Sequence, residues 1–429
     1  MPTFSHGSAV ALENNKTAYI KGKLGEGGQG TVYLAELDGR DCALKWYHHK
    51  IKNGDKFYRN LANNIDTGSP SELFVWPKYL SLVAEDGEYG YVMDLVPSNY
   101  KSFSDFLLTK EKFASITVVV TAALNITHAF RELHRKGFSY QDLNDGNFFI
   151  DPKTGDVLIC DTDNVAPYGD SLGIAGKARY MAPEVVRNIK APDVMTDRFS
   201  LAVILFRLLF LDHPLEGRRT LCPCLTEELE HKFYGKYPLF IYDPVDDSNI
   251  PVRGVHCNVM RLWGLYPEFV RDMFTRAFSQ PCLKREVSRP TDNEWQILFT
   301  KLRDCIVKCP CGGETFLDLD CESSQCLNCG MDIPRPPVMN VKKYRAVLFP
   351  GKKLYACHTV EDSDDYSEIT ASVMRSQNRP NVWGIKNMSD TEWTAELENG
   401  KQTTVPSGKV IVIVKGSTID FGTCKGTVE

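Results

Sequence analysis

Between Thr17 and Tyr47 the chain alternates short β-like runs around a glycine cluster: a first strand, LGEGGQG, then TVYLAEL and DCALKWY. That pattern predicts an antiparallel meander. Residues 113 to 134 carry Ile116, Val119, Val120, Ala123, Ile126, Phe130 and Leu133 at helical spacing, so one stripe of a helix faces a core, and Gly137 ends it. The stretch FFIDPKTGDVLIC reads as two apolar strands around a turn whose chemistry comes from Pro152 and Gly155. A helical region is expected over about 184 to 305. Within it the apolar run Leu201 to Leu211, interrupted by Arg207, falls short of the ~20 residues that span a bilayer and predicts a buried core helix. At Cys309 the pattern gives way to cysteines and glycines, and PRPP (334 to 337) reads as a stiff linker. From Tyr344 onward YRAVLF, VWGIKN, EWTAEL, VIVIVK and TIDFG are short strands without helical periodicity, which predicts a small all-β sandwich.

Composition changes this picture little. The 429 residues exceed the roughly 250 to 300 at which one core stops growing, so several domains are expected. Hydrophobic residues at 43%, charged residues at 24% and a net charge of −5 give no reason to expect a nucleic-acid surface. The first twenty residues lack the cationic start and apolar core of a secretory signal. Most of the paired cysteines lie after position 300 in metal-like spacing and the others scatter singly, which places the chain in a reducing cytoplasm, with no membrane partner.

The chemistry-bearing residues come in a fixed order. Gly25, Gly27, Gly28 and Gly30 are followed by Val32 and then by Lys45 in Ala43-Leu44-Lys45. Glycines there let backbone amides approach phosphate oxygens. Downstream stand Tyr140-Gln141-Asp142-Leu143-Asn144-Asp145-Gly146-Asn147, then Asp161 at the end of VLIC, Ala182-Pro183-Glu184, Asp197, and Arg289 as a candidate ion-pair partner for Glu184. This series resembles the protein kinases: a GxGxxGxV loop, a DLxxxN catalytic loop, the metal-binding aspartate of DFG and the APE motif. The resemblance implies Lys45 on the α and β phosphates, Asn147 and Asp161 as ligands of Mg²⁺ or Mn²⁺, and Asp142 as the base that takes the acceptor hydroxyl proton. It also implies that the adenine edge meets backbone at Asp94 to Val96, after Met93.

The departures from that pattern are equally specific. Tyr140 and Gln141 replace His and Arg of HRD, and Thr162 and Asp163 replace Phe and Gly of DFG. Tyr140 and Thr162 are expected to compensate in volume. Gln141 cannot form the charged pair that Arg makes with a phosphorylated loop, so activation by loop phosphorylation is not expected. Asp163 is a further carboxylate near the metals. The helix that should pair a glutamate with Lys45 offers Asn60, Asn63 and Asn64, and Asn144 stands where a lysine is usual, which removes one positive charge from the transferring phosphate. These losses keep open an alternative, a pseudokinase-type nucleotide-binding scaffold that docks partner proteins.

Cys309, Cys311, Cys326 and Cys329 form two tight pairs, CPCGG and CLNCG, the pattern of a structural zinc ribbon, with Cys321 left over. The tail resembles a degenerate forkhead-associated sandwich, a docking or spacer domain without the phosphothreonine-binding set. Together, SYQDLNDGNFF, the DxDN-type motif, the ribbon and the tail are similar to the atypical bacterial serine/threonine kinases encoded beside a PP2C-type phosphatase and a von Willebrand A-domain (vWA) protein in tellurite-resistance-type stress clusters. That resemblance implies ATP and magnesium as cofactors, a protein substrate, and the phosphatase and vWA protein as partners. The expected fold class is α+β: a bilobal protein-kinase fold over 15–300, a zinc ribbon and linker over 305–337, and a forkhead-associated-like β-sandwich over 340–429.

Overall fold

The alternating runs near the N-terminus form an antiparallel sheet in the order β1-β2-β3-β4-β6-β5, where β1 is Ala9–Ala11, β2 Thr17–Glu26, β3 Gly30–Leu37, β4 Arg40–Tyr47, β5 Pro77–Leu80 and β6 Gly90–Met93. The computed structural model describes residues 4–47, 54–84, 87–173, 176–397 and 400–429. Strand β4 is buried along Cys42 to Tyr47, and its period-two alternation sorts its side chains to opposite faces. Leu44 and Trp46 join a cluster with Val10, Ile20, Tyr33 and Val92. Ala43 and Tyr47 join another with Phe57 and Leu61 of the helix α1, Gly54–Thr67. Lys45 therefore sits on the face that α1 covers.

Helix α2 (Ile116–Arg135) buries Val120, Ala123, Ile126, Phe130 and Leu133 as the periodicity predicts, while Ile116 and Val119 remain half-buried. Strands β7 (Phe148–Ile150) and β8 (Val157–Ile159) pair antiparallel, Ile150 opposite Val157, across a turn where Asp151 Oδ1 accepts the Lys153 N–H at 2.7 Å. The apolar run becomes α3 (Val194–Phe210), buried at every residue from Leu201 to Phe210. Asp193 caps it by accepting the N–H groups of Met195 and Thr196, with Thr196 reciprocating. The rest of the expected helical region is broken into short helices and ends in α4 (Asp292–Asp304).

Arg289 grips Glu184 in a bidentate pair, Nη1 to Oε1 and Nη2 to Oε2 each at 2.8 Å, and also donates to the Met195 carbonyl at 2.9 Å. The guanidinium is almost wholly buried, so removing its partner strands a charge in the interior. Glu184→Ala is expected to cost about 3–5 kcal/mol of stability. Urea unfolding checks this; an unchanged midpoint contradicts it.

The chain divides into two units. The first comprises Met1–Ala114, Thr121–Gly264 and Arg271–Trp295, and the second Ser115–Val120, Leu265–Val270 and Gln296–Glu429. In the second unit two short hairpins, Ile306–Lys308 with Glu314–Phe316 and Ser323–Gln325 with Asp332–Pro334, precede the sandwich. PRPP leads from the last of these strands directly into Val338–Val341. A six-stranded and a four-stranded sheet then enclose one core that includes Met339, Val373, Ile385, Trp393, Ile419 and Phe421.

Candidate active site

The first unit gathers the charged residues of the kinase-like series at one place. Lys45, 5% exposed, directs its Nζ to Asp163 Oδ2 at 2.8 Å and Asp161 Oδ1 at 3.2 Å, with Gln29 Oε1 at 3.4 Å. Burial pulls its ammonium down, but the Asp163 and Asp161 carboxylates more than offset this and the net shift is upward. The Tyr47 hydroxyl donates to the same Asp163 Oδ2 at 2.5 Å. Asp163 is fully buried, and its Oδ1 has no hydrogen-bond partner among the described residues. The glutamate absent from α1 thus has a substitute from another element. The side-chain amides of Asn60 and Asn64 both donate instead to the Val165 carbonyl, each at 2.8 Å, and hold the backbone just after Asp163.

The glycine loop spans the end of β2 and the start of β3. Around Gly25, Gly27 and Gly28 none of the described residues lies within 4 Å of where a Cβ would stand, whereas at Gly30 a Cβ would meet the Trp46 carbonyl oxygen at 2.3 Å. The first three leave open space beside the backbone, and the fourth is required by close packing on β4. Val32 is opposite Lys45 across the β3–β4 ladder, and Ala43 is opposite Met93. Val96 packs on the cluster containing Ala43 and Met93, while the Asp94 carboxylate leaves that cluster for Lys78 at 2.5 Å.

Asp142, Asn147 and Asp161 are tied together by Tyr140. Its hydroxyl donates to the Cys160 carbonyl, immediately before Asp161, and accepts from Asn147 Nδ2 at 2.9 Å. Asn147 Nδ2 also lies 3.3 Å from the Asp142 carbonyl, so its amide orientation is set and Oδ1 is the atom left for a cation. An asparagine oxygen and the half-exposed Asp161 carboxylate are hard donors that fit magnesium. Asp161 adopts the left-handed conformation, φ 54°. Burial, and then the charge of Asp161, raises the pKa of Asp142. Tyr140 and Thr162 are both fully buried, but their hydroxyls serve different backbones: the Thr162 hydroxyl donates to Val75 at 2.9 Å.

Gln141, also left-handed at φ 70°, donates to the Asp170 carbonyl at 2.7 Å and accepts from Leu172 N at 3.4 Å. It pins the following segment through neutral bonds where Arg would need a phosphate. The loop is anchored below by Asp197, which accepts the backbone N–H of Tyr140 at 2.6 Å and of Gln141 at 3.2 Å. His134 lies between Asp197 (3.2 Å) and Asp292 (2.9 Å). Burial pulls its pKa down, but the two carboxylates outweigh this and lift it from 6.5 to about 9. Because the folded value is the higher one, this stabilisation is complete below about pH 6.5 and is lost as pH rises through about 9. A shift of that size corresponds to about 3 kcal/mol. Urea midpoints should fall between pH 6.5 and 9, and His134→Leu should flatten the fall; a profile identical in both proteins contradicts the assignment.

In the second unit the Sγ atoms of Cys309, Cys311, Cys326 and Cys329 all lie within 4.8 Å of one another, with Cys309 to Cys329 at 3.8 Å and Cys311 to Cys326 at 3.7 Å. Four sulfurs about 2.3 Å from a tetrahedral zinc are about 3.8 Å apart, while a disulfide needs about 2.05 Å. The Asn328 amide and the Gly313 N–H draw the Cys311 thiol down to about 6, the direction that favours a thiolate ligand. Against the lowering pull of the Cys311 and Met331 N–H groups, Cys309 and Cys329 are pushed up as they share hydrogen bonds with the neighbouring sulfurs. Gly312 and Gly330 turn the backbone at φ 89° and 73° after each pair. Cys321 stands apart from the cluster and bonds Asp318 at 3.2 Å.

Asp163 as the counter-ion of Lys45, the Tyr47 hydroxyl beside it, and the role of Tyr140 in orienting Asn147 emerge only from the fold. The available signal was a carboxylate two residues after Asp161 in a chain whose α1 carries Asn60, Asn63 and Asn64 where the glutamate is expected.

Residues 19–232 match the family model of the protein kinase domain, and this part of the chain is a protein kinase domain. The chain is 23% identical over 257 residues to the probable serine/threonine-protein kinase RTK1 of Saccharomyces cerevisiae, covering 56% of this chain and 38% of that protein. It is 25% identical over 254 residues to the dual specificity protein kinase shkB of Dictyostelium discoideum, covering 56% and 35%. A bacterial relative, the probable serine/threonine-protein kinase PknB of Bifidobacterium longum, is 24% identical over 211 residues, covering 45% and 30%. The chain thus spans well under half the length of these relatives. Among the described residues no helix is long and apolar enough to cross a membrane.

Proposed function

We propose that the chain is an ATP- and Mg²⁺-dependent serine/threonine protein kinase in bacterial stress signalling, acting in the cytoplasm. The observation that carries this reading is the buried pairing of Lys45 with Asp163 and Asp161, which supplies the lysine counter-ion that the helix lacks. Backbone at Asp94 to Val96 would receive the adenine edge, and the amides of the loop Gly25 to Gly30 would receive the phosphates. Lys45 would hold the α and β phosphates. Asp161 and Asn147 would hold magnesium, which when bound neutralises phosphate charge. The acceptor hydroxyl oxygen attacks the γ phosphorus as the bond to the β-phosphate oxygen breaks, and ADP departs. The hydroxyl proton passes to Asp142, whose raised pKa strengthens it as a base.

The scaffold alternative drew on the absent glutamate and the altered loop; Asp163 and Tyr140 weaken both grounds. The proposed organisation is a kinase domain over 15–300, a ribbon with structural Zn²⁺ on Cys309, Cys311, Cys326 and Cys329, and a forkhead-associated-like sandwich over 340–429. The sequence resemblance supports a PP2C-type phosphatase and a vWA-domain protein as partners. Incubation with γ-labelled ATP and Mg²⁺ or Mn²⁺ tests the activity. Label recovered as phosphoserine or phosphothreonine supports it; bound nucleotide without labelled protein transfers the reading to the scaffold.

A further inference from the structure

Asn144 takes a position in the catalytic loop where a cation would face the phosphate in transit, and the structure brings a cation to it from another segment. Lys177 Nζ lies 3.0 Å from Asn144 Oδ1 and 3.7 Å from Asp145 Oδ1. Asn144 turns its Nδ2 towards Asp142, 3.4 Å from the carboxylate Oδ1 and 3.3 Å from the carbonyl, so that one buried amide bridges the ammonium to Asp142. Next to Lys177, a Cβ on Gly176 would stand 3.0 Å from Asp142 Oδ1, which sets the segment directly against the loop. Lys177 lowers the Asp142 pKa by its charge, against the upward effects of burial and Asp161.

The presentation of Lys177 is fixed by its neighbours. Its carbonyl accepts the Tyr180 N–H at 2.9 Å, the Arg179 carbonyl is bonded to His213 Nε2 at 2.7 Å, and the Arg179 guanidinium pairs with Glu216 at 2.8 Å. The Lys177 side chain itself is 59% exposed, so it is not held by packing and its ammonium is free to exchange Asn144 for a phosphate oxygen.

We propose that Lys177 is the cation that the catalytic loop lacks at Asn144, a catalytic residue contacting the γ-phosphoryl oxygens as they pass from ATP to the acceptor hydroxyl. This rests on the kinase reading above. In the balanced step, where the bond from γ phosphorus to the β-phosphate oxygen breaks, the new bond to the acceptor oxygen forms and the proton goes to Asp142, Lys177 gains and loses no atom; it offsets negative charge on the equatorial oxygens. Because this cation belongs to the segment before Tyr180 and not to the loop, transfer requires that segment to be seated. Asn144 serves as the resting acceptor that keeps the ammonium beside Asp142 until substrate arrives.

The test measures kcat and the KM for ATP, with Mg²⁺, in the full chain carrying Lys177→Met, Lys177→Arg, and Lys177→Met combined with Asn144→Lys. Lys177→Met should lose on the order of 10²-fold in kcat with KM changed only a few-fold, since its charge acts on the transition state. Lys177→Arg should retain most of the activity, and returning the cation at position 144 should recover much of what Lys177→Met lost. A kcat for Lys177→Met within three-fold of the unaltered protein overturns the proposal, as does a loss confined to KM. Should the double variant fail to fold, the contrast between Met and Arg at 177 still decides. No transfer by the unaltered protein would instead overturn the kinase reading itself.

Discussion

Replacing Asp163 by Ala should reduce phosphoryl transfer on the order of 10²-fold or more. Two donors, Lys45 Nζ and the Tyr47 hydroxyl, converge on Asp163 Oδ2, and Asp163 is fully buried, so bulk solvent does not screen the loss. Without that carboxylate the buried ammonium has Asp161 as its remaining carboxylate partner among the described residues. Asp161 would then be drawn towards Lys45 and away from the cation it should hold, so both phosphate binding and metal placement suffer. Stability falls as well, because breaking a buried pair costs about 3–5 kcal/mol. Activity must therefore be compared per folded molecule. Asp163→Asn preserves the shape and isolates the charge; if it transfers phosphate at the unaltered rate, Asp163 is not the counter-ion that matters.

Removal of the proposed zinc should have the largest effect on stability. A structural zinc bound by four thiolates contributes about 10–16 kcal/mol of apparent binding free energy in small zinc modules. The two hairpins have little else to hold them: their strands are three residues each, and the small apolar cluster there includes two of the proposed ligands, Cys309 and Cys326. One zinc per chain is expected by metal analysis. Chelation, or Cys326→Ser, should expose the hairpins to limited proteolysis between Ile306 and Pro334. A metal-free protein with the same cleavage pattern contradicts the site.

Local pattern made most of the elements legible. The β2–β4 meander, the stripe of α2 and the buried α3 each follow from the spacing of apolar residues within one segment, where the period of the element decides the pattern. Long-range pairing was not legible. In the sandwich the first strand, Val338–Val341, pairs with the last, Lys425–Val428, and no local signal specifies that register. The clustering of Cys309, Cys311, Cys326 and Cys329 was readable because its members form two tight pairs close in sequence. The Lys45 to Asp163 pair was not, because it joins residues 118 positions apart and depends on the left-handed turn at Asp161, which decides which carboxylate points inward. The same applies to Tyr140: its aromatic bulk suggested packing against Thr162, whereas the hydroxyl at its tip determines its position by bonding Cys160 and Asn147.

The central claim is that a site with altered loop and metal motifs still transfers phosphate. The most direct measurement compares label transfer from γ-labelled ATP by the unaltered chain, Asp142→Asn and Asp161→Asn, with nucleotide-dependent melting of each recorded in parallel. Transfer by the unaltered chain is expected, abolished by both substitutions, with Asp142→Asn keeping its nucleotide-dependent shift. Nucleotide-dependent stabilisation without transfer, or transfer that survives Asp161→Asn, would contradict it.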